Sequence, residues 1–188
     1  LAIDRLIPHA HFAERHATVI HAPAALVLDT VPRVRMGDDP AIVALLKLRG
    51  LPARLLGRDA PKPPKDFGYE DFVALAADDR ERAWGAIGAF WKPAGGIVDA
   101  RTPADFEGQP PTGAAKLVWS WHARSLPNGG THLETETRIV CADAAARRAM
   151  LAYWLAIRLP SGIIRKRLLA RVKATAETRA AVYAAPSA

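Results

Sequence analysis

The densest group of chemically able side chains lies in residues 116–140, KLVWSWHARSLPNGGTHLETETRIV. Trp119 and Trp121 precede the turn signal Asn128-Gly129, and Glu136 and Arg138 follow it. Two indoles, a carboxylate and a guanidinium on one face would make a wall for a ligand. The indoles give apolar area with one N–H each, and the charged pair orients a polar group. A carboxylate in an apolar cavity can be pushed toward neutrality and work as an acid or base, which makes Glu136 the catalytic candidate. Arg138 beside it opposes that by holding it ionised, and would instead bind a substrate carboxylate or enolate. Trp84, Trp91, Trp119, Trp121, Glu136 and Arg138 are therefore the ligand-binding candidates.

Asn128-Gly129 predicts a hairpin with a two-residue type I′ turn, because both positions of that turn need positive φ. The implied register sets Trp121 opposite Glu136, Trp119 opposite Arg138 and Leu117 opposite Val140. On the other face His122 meets Thr135, Ser120 meets Thr137 and Val118 meets Ile139. Arg138 over Trp119 would be a cation–π contact of ~0.5–2 kcal/mol. The same face reads equally well as an ordinary cross-strand pair whose indoles cover neighbouring side chains.

Other chemistries find less support. His9, His11, His16 and His21 have spacings that match no compact ligand set, so no metal is expected, and they read as surface or loop histidines. His122 and His132 fall on different faces. Ser120 and His122 share a face without an acid partner, and the chain has no G-x-S-x-G elbow, which speaks against a hydrolase. The glycines of PAGG and PNGG are turn chemistry rather than a phosphate loop, and no cofactor is expected. Cys141 is the single cysteine, so it forms no internal disulfide. It precedes a helix that could activate its thiol, but an isolated buried cysteine is the commoner case.

These side chains need elements to hold them. A first strand is predicted over 11–21, a short helix over 22–31, and a helix over 38–50 capped by Asp38 or Asp39, opened by Pro40 and ended by Gly50. Residues 51–66 form a proline-rich, basic loop. A hairpin follows over 68–91 with Asp78-Asp79 at its tip, then a short strand at 95–100, a turn-rich passage at 102–113 and the hairpin of 114–141. Asp143 can cap a long C-terminal helix that Pro160 breaks or kinks. Ser161 can cap its second part, along which Ile164, Leu168 and Val172 form an apolar stripe. Strands segregated from helices indicate an α+β domain. Without internal repeats or a boundary, residues 1–188 read as one domain.

The composition is that of a globular protein, with 50% hydrophobic and 24% charged residues. The net charge of +7 raises nucleic acid, anionic membrane and acidic ligands as partners. Cations cluster over 143–179, where Asp143 and Glu177 are the acids. No nucleic-acid-binding motif accompanies them, so nucleic acid is not expected. A solvated basic face is the simpler reading, with peripheral contact to an anionic membrane or a partner through 161–179 as the alternative. Apolar runs fall short of the ~18 residues a spanning helix needs. A secretory signal pattern is absent from the start, and a cytoplasmic location is the expectation.

The order of strand, two short helices, antiparallel strands and long C-terminal helix resembles the START-like superfamily (SRPBCC), the helix-grip group of Bet v 1-like proteins and polyketide cyclases. VIHAPAALVLDTV (19–31) is similar to its first strand and short helix. GAIGAFW (85–91), the VWSW…NGGTHLETETRI hairpin and TETRIVCADAAARRAMLAYWLAIRLPSGIIRKRLL (135–169) resemble a bacterial branch of it. The resemblance implies a curved antiparallel sheet wrapped around the C-terminal helix, with a mainly apolar cavity between them. It implies binding or carriage of a small hydrophobic molecule, lipid-, polyketide- or aromatic-like. A cyclase or isomerase using Glu136 with Arg138 is the alternative, because some members of the group are enzymes and many only bind.

Overall fold

The computed structural model describes residues 1–55, 68–92 and 100–184. The Asn128-Gly129 signal does reverse the chain, but through a three-residue loop. Leu126 N donates to Gly130 O at 2.8 Å and Gly129 N to Leu126 O at 3.0 Å, with Gly129 at φ +78°. That left-handed position is why glycine stands there. The loop joins β4 (Ala115–Ser125) to β5 (Thr131–Cys141). The additional loop residue moves the register by one, pairing Trp119 with Thr137 and Trp121 with Thr135. The predicted pairings of Trp121 with Glu136 and Trp119 with Arg138 are thereby corrected. A slip of one residue also carries Glu136 and Arg138 to the opposite face from the tryptophans.

Around this hairpin the sheet grows outward. β1 (Phe12–Ile20) pairs with β5, β3 (Glu81–Gly88) with β4, and β2 (Val73–Ala77) with β3, all antiparallel, in the order β1-β5-β4-β3-β2. The helices α2 (Ala24–Thr30) and α3 (Pro40–Leu55) follow β1, and α4 (Ala144–Ala184) closes the chain. This is the α+β arrangement of antiparallel sheet, short helices and long C-terminal helix that the sequence leads one to expect. Asp39 caps α3: its carboxylate accepts from Ala41 N at 2.9 Å and Ile42 N at 3.3 Å, with Pro40 at the first helical position.

Three boundaries differ from expectation. α3 continues past Gly50 and Pro52 to Leu55, and α4 runs unbroken through Pro160 rather than restarting at Ser161. A helix-interior proline loses one hydrogen bond and crowds the carbonyl four residues back; in α4 the packing of Met150 and Trp154 before it and Leu168 and Val172 after it offsets that cost. The chain also begins with a short helix, α1 (Ala2–Leu6), that composition did not announce. The strand expected at 95–100, apart from Ala100, and the remainder of the loop expected at 51–66 lie outside the described residues.

Each face of the sheet has its own cover. Inward, Trp84, Trp119, Trp121 and Leu133 pack with Val27 and Leu28 of α2 and with Leu168, Leu169 and Val172 of α4. The predicted Leu168–Val172 stripe is therefore buried. Outward, Val118 and Ile87 pack with Phe106 and with Ile3, Leu6 and Ile7 at the start of the chain. A further apolar cluster joins Ile139 and Cys141 to Ala146, Met150 and Trp154 in the first turns of α4.

Candidate functional site

The inner face is more polar than a core needs to be. Strand alternation sends Phe12, Glu14, His16 and Thr18 of β1 inward, with Glu14 beside Thr137 and His16 beside Thr135. His16 Nε2 and Glu14 Oε1 lie 2.8 Å apart, both side chains mostly covered. α4 presses on this pair at Gly162. A Cβ there would stand 3.0 Å from Glu14 Oε1 and 3.7 Å from His16 Nε2, so the absent side chain allows the approach.

One turn further along α4, Arg165 enters the same space. Its guanidinium carbon stands 5.0 Å from the centre of the Trp119 ring. Its Nε and Nη1 are buried and meet no acceptor among the described residues. Burial pulls the guanidinium down to about 10, against the favourable fields of Glu14 and Tyr69. Glu14 Oε2 and Thr137 Oγ1 are likewise buried without a hydrogen-bond partner among the described residues, and the buried Trp121 indole N–H faces the Tyr69 hydroxyl. Burial pushes the Tyr69 hydroxyl up, opposed by the charge of Arg165 and by the Trp121 indole N–H.

Aromatic rings enclose the group. Tyr69 lies 4.3 Å from Trp84 and 5.1 Å from Trp119, nearly parallel to the latter, and Trp121 is 5.9 Å from Trp119. Trp119 is anchored by its own N–H, which donates to Thr135 Oγ1 at 2.8 Å. Such a constellation offers a planar apolar surface, one cation with free donors, and a carboxylate–imidazole pair able to hold or move a proton.

Of the residues singled out from sequence, Trp84, Trp119 and Trp121 come together here. Trp91 does not; it packs beside the cluster at the start of α4. Glu136 and Arg138 pair with each other at 2.8 Å on the outer face. There Arg138 also bonds Asp4 at 2.9 Å and the Ile7 carbonyl at 3.1 Å, and Arg15 reaches Glu136 at 3.1 Å. Their observed work is to fasten α1 and β1 across the sheet, and the charge of Glu136 holds the Arg138 guanidinium above its usual range. Cys141 is buried, which pushes its thiol up to about 11, so the helix that follows does not activate it.

Arg165, Glu14 and Tyr69 were not singled out, and His16, expected as a surface or loop histidine, is instead a largely covered side chain of strand β1 paired with Glu14. Arg165 had a signal: it keeps helical spacing with the buried Leu168, Val172 and Ala176 and is itself only partly exposed, on a side of the helix where a cation is out of place. Glu14 and His16 share the phase of Phe12 and Ile20 on β1.

Concavities outlined by described residues lie beside the site rather than within it. One, of about 230 Å³, runs between β1 and α4 and is lined by His16, Thr18, Lys166, Leu169 and Lys173 among others. Another, of about 150 Å³, lies by Glu70, Phe72 and Ile87. Neither is walled by the tryptophans; the first touches the site through His16. No group of three or more His, Cys, Asp or Glu side chains able to hold a metal occurs among the described residues.

No family model matches the chain, and no curated protein matches it. Among solved structures it is similar to the Zhui aromatase/cyclase of a Streptomyces species, R1128, at 17% identity over 89% of this chain and 94% of that one, with a TM-score of 0.35. A protein of Thermus thermophilus is similar at 8% identity over 93% of this chain and 100% of that one, with a TM-score of 0.30.

Proposed function

We propose that the inner face binds a small, largely apolar ligand bearing one anionic or strongly accepting oxygen, with Arg165 as its anchor and Trp84, Trp119 and Trp121 as its apolar bed. The observation that carries this is the Arg165 guanidinium, buried with two donor nitrogens unmet among the described residues. A buried cation without acceptors costs several kcal/mol, and unpartnered groups of this kind concentrate where a ligand supplies the partner. The polar anchors thus shift from Glu136 and Arg138 to Arg165 with Glu14 and Tyr69. The groove at His16 is the described opening nearest the site, and its 230 Å³ lies below the ~300–1,000 Å³ of drug-sized pockets. A ligand of the size of one or two rings fits that limit, and the indoles must shift to admit it.

The test uses naphthalene-1-sulfonate, which joins a two-ring aromatic body to one anionic group, followed by its own fluorescence and by tryptophan quenching. The native chain should bind it saturably, and Arg165→Gln should weaken binding at least tenfold with near-UV circular dichroism unchanged. Equal binding by the variant would remove Arg165 from the reading. Native mass spectrometry of protein from its own host then identifies a retained compound.

A second reading, an acid–base catalyst of cyclase or isomerase type, is favoured by one contact, the 2.8 Å Glu14–His16 pair beside Arg165. It requires that Glu14→Gln abolish turnover of a bound compound while leaving its affinity within a few fold.

A further inference from the structure

α4 leaves an apolar row in solvent. Leu151, Leu155, Leu159 and Ile163 follow one another at intervals of four, which sets them in a continuous ridge on the helix surface. They are 47%, 65%, 79% and 49% exposed, so this is a ridge rather than a scatter of surface leucines. Cations accompany it. Arg147, Arg148, Arg158 and Lys166 are exposed and make no ion pair with a described residue. From Ala144 to Ala176 the helix carries no Asp or Glu at all. The other cations of the helix are differently engaged: Arg167 with Asp39 at 2.9 Å, Arg171 with Asp38 at 3.6 Å, and Arg179 with Asp29 at 2.7 Å. The basic face expected over 161–179 is therefore largely neutralised inside the molecule apart from Lys166 at its start, and the remaining exposed unpaired charge lies earlier, alongside the leucines.

We propose that the Leu151–Ile163 ridge of α4 docks on an anionic lipid surface, the leucines entering the headgroup–acyl boundary and Arg147, Arg148, Arg158 and Lys166 meeting lipid phosphates. Charge decides between occupants. A second copy would bring the same four cations against themselves, whereas an anionic bilayer complements both the ridge and the charge. No helix of the described chain is long and apolar enough to cross a membrane, so the contact is a surface one.

Sedimentation with vesicles tests it, using phosphatidylcholine alone and phosphatidylcholine with about a third phosphatidylglycerol. The full chain should bind the anionic vesicles and leave the neutral ones, with binding falling as salt rises. Leu155→Gln/Leu159→Gln should weaken that binding by about tenfold or more, since each leucine withdrawn loses its buried apolar area. Arg148→Gln/Arg158→Gln should weaken it by about fivefold per charge. All four sites are exposed, so near-UV circular dichroism should stay native. Absence of binding to anionic vesicles overturns the proposal. So does binding that the leucine variant leaves unchanged, which would be adsorption by net charge alone. A native dimer that the leucine variant converts to monomer would assign the ridge to a second copy and overturn it equally.

Discussion

Replacing Arg165 by methionine should make the protein more stable while removing the proposed ligand anchor. In the folded state burial pulls the guanidinium down to about 10, more than two pH units below the free group. At about 1.4 kcal/mol per pH unit, the charged form costs the folded state on the order of 3 kcal/mol at neutral pH. The contact with Trp119, 5.0 Å away, returns ~1–2 kcal/mol of that. Methionine follows the same path with an unbranched, apolar chain and needs no acceptors. The net expectation is a gain of about 1–2 kcal/mol, or roughly 3–6 °C in Tm for a chain of this size. The sign follows from proton counts. A base whose folded value is lowered binds fewer protons folded than unfolded from about 10 up to the free group's range, so native stability rises with pH through that window. Below about 10 the whole penalty stands, and there the variant should lead by its full margin. Urea unfolding followed by tryptophan emission measures it, with an unchanged m-value required for the comparison. A loss of about 1 kcal/mol or more would mean that Glu14 depends on Arg165 as a structural counter-ion, and would refute the argument that the guanidinium is held for a ligand.

Three further perturbations have definite signs. Asp39→Ala removes the cap of α3 and the Arg167 partner together, and should cost about 1–2 kcal/mol by urea unfolding. Burial raises the Asp39 carboxyl, but hydrogen bonds from Arg167, Ile42 N and Ala41 N outweigh it and hold the group below 3.8. The native stability it lends is present above pH 3.8 and fades as pH falls, and a pH series of the variant should lack that slope. Cys141, its thiol pushed up from 9.0 to about 11, should resist iodoacetamide at mildly alkaline pH in the native protein and react at once in urea; rapid native labelling would contradict its burial. Native stability should also decline as pH climbs from 9.0 toward 11, an effect absent in Cys141→Ala. Hydrogen exchange should be faster at amides 161–166 than at 168–176, because Pro160 and Gly162 weaken the helix there and Leu168, Val172 and Ala176 bury it beyond.

The element order was legible because it rests on strong local signals: Pro40 behind Asp39, Asn128-Gly129 between alternating runs, and a long helical period after Asp143. The face of β5 was not. Leu133, Thr135, Thr137 and Ile139 alternate with Glu134, Glu136, Arg138 and Val140, and each phase mixes polar with apolar groups. Hydrophobicity alone therefore left both faces open, and the turn length decided. A two-residue turn and a three-residue loop are both compatible with Pro127-Asn128-Gly129-Gly130, yet they invert every side chain. What covers the outer face is α1, a five-residue helix too short to signal itself by periodicity. Its Ile3 and the following Ile7 fill the outer core while Asp4 and the Ile7 carbonyl claim Arg138. The charged row that looked like a ligand wall is the seat of that helix.

α4 then explains where the polar chemistry went instead. A helix lying across a twisted sheet can touch it along only part of its length, so its buried side shifts from one group of residues to another as it crosses. In its first turns Ala146, Met150 and Trp154 face inward; in its later turns Leu168, Leu169, Val172 and Ala176 do. Between them, at Pro160 to Arg165, no large apolar side chain of the helix is fully buried. The gap in the stripe is closed by the bare backbone of Gly162 against Glu14 and by the guanidinium of Arg165 over Trp119. A core optimised only for stability would close such a gap with leucine, which gains about 25 cal/mol for each Å² it buries and leaves no donor unmet. The chain has placed a glycine, a cation and a carboxylate oxygen unpartnered among the described residues there, each unfavourable to stability and each consistent with the proposed ligand contact.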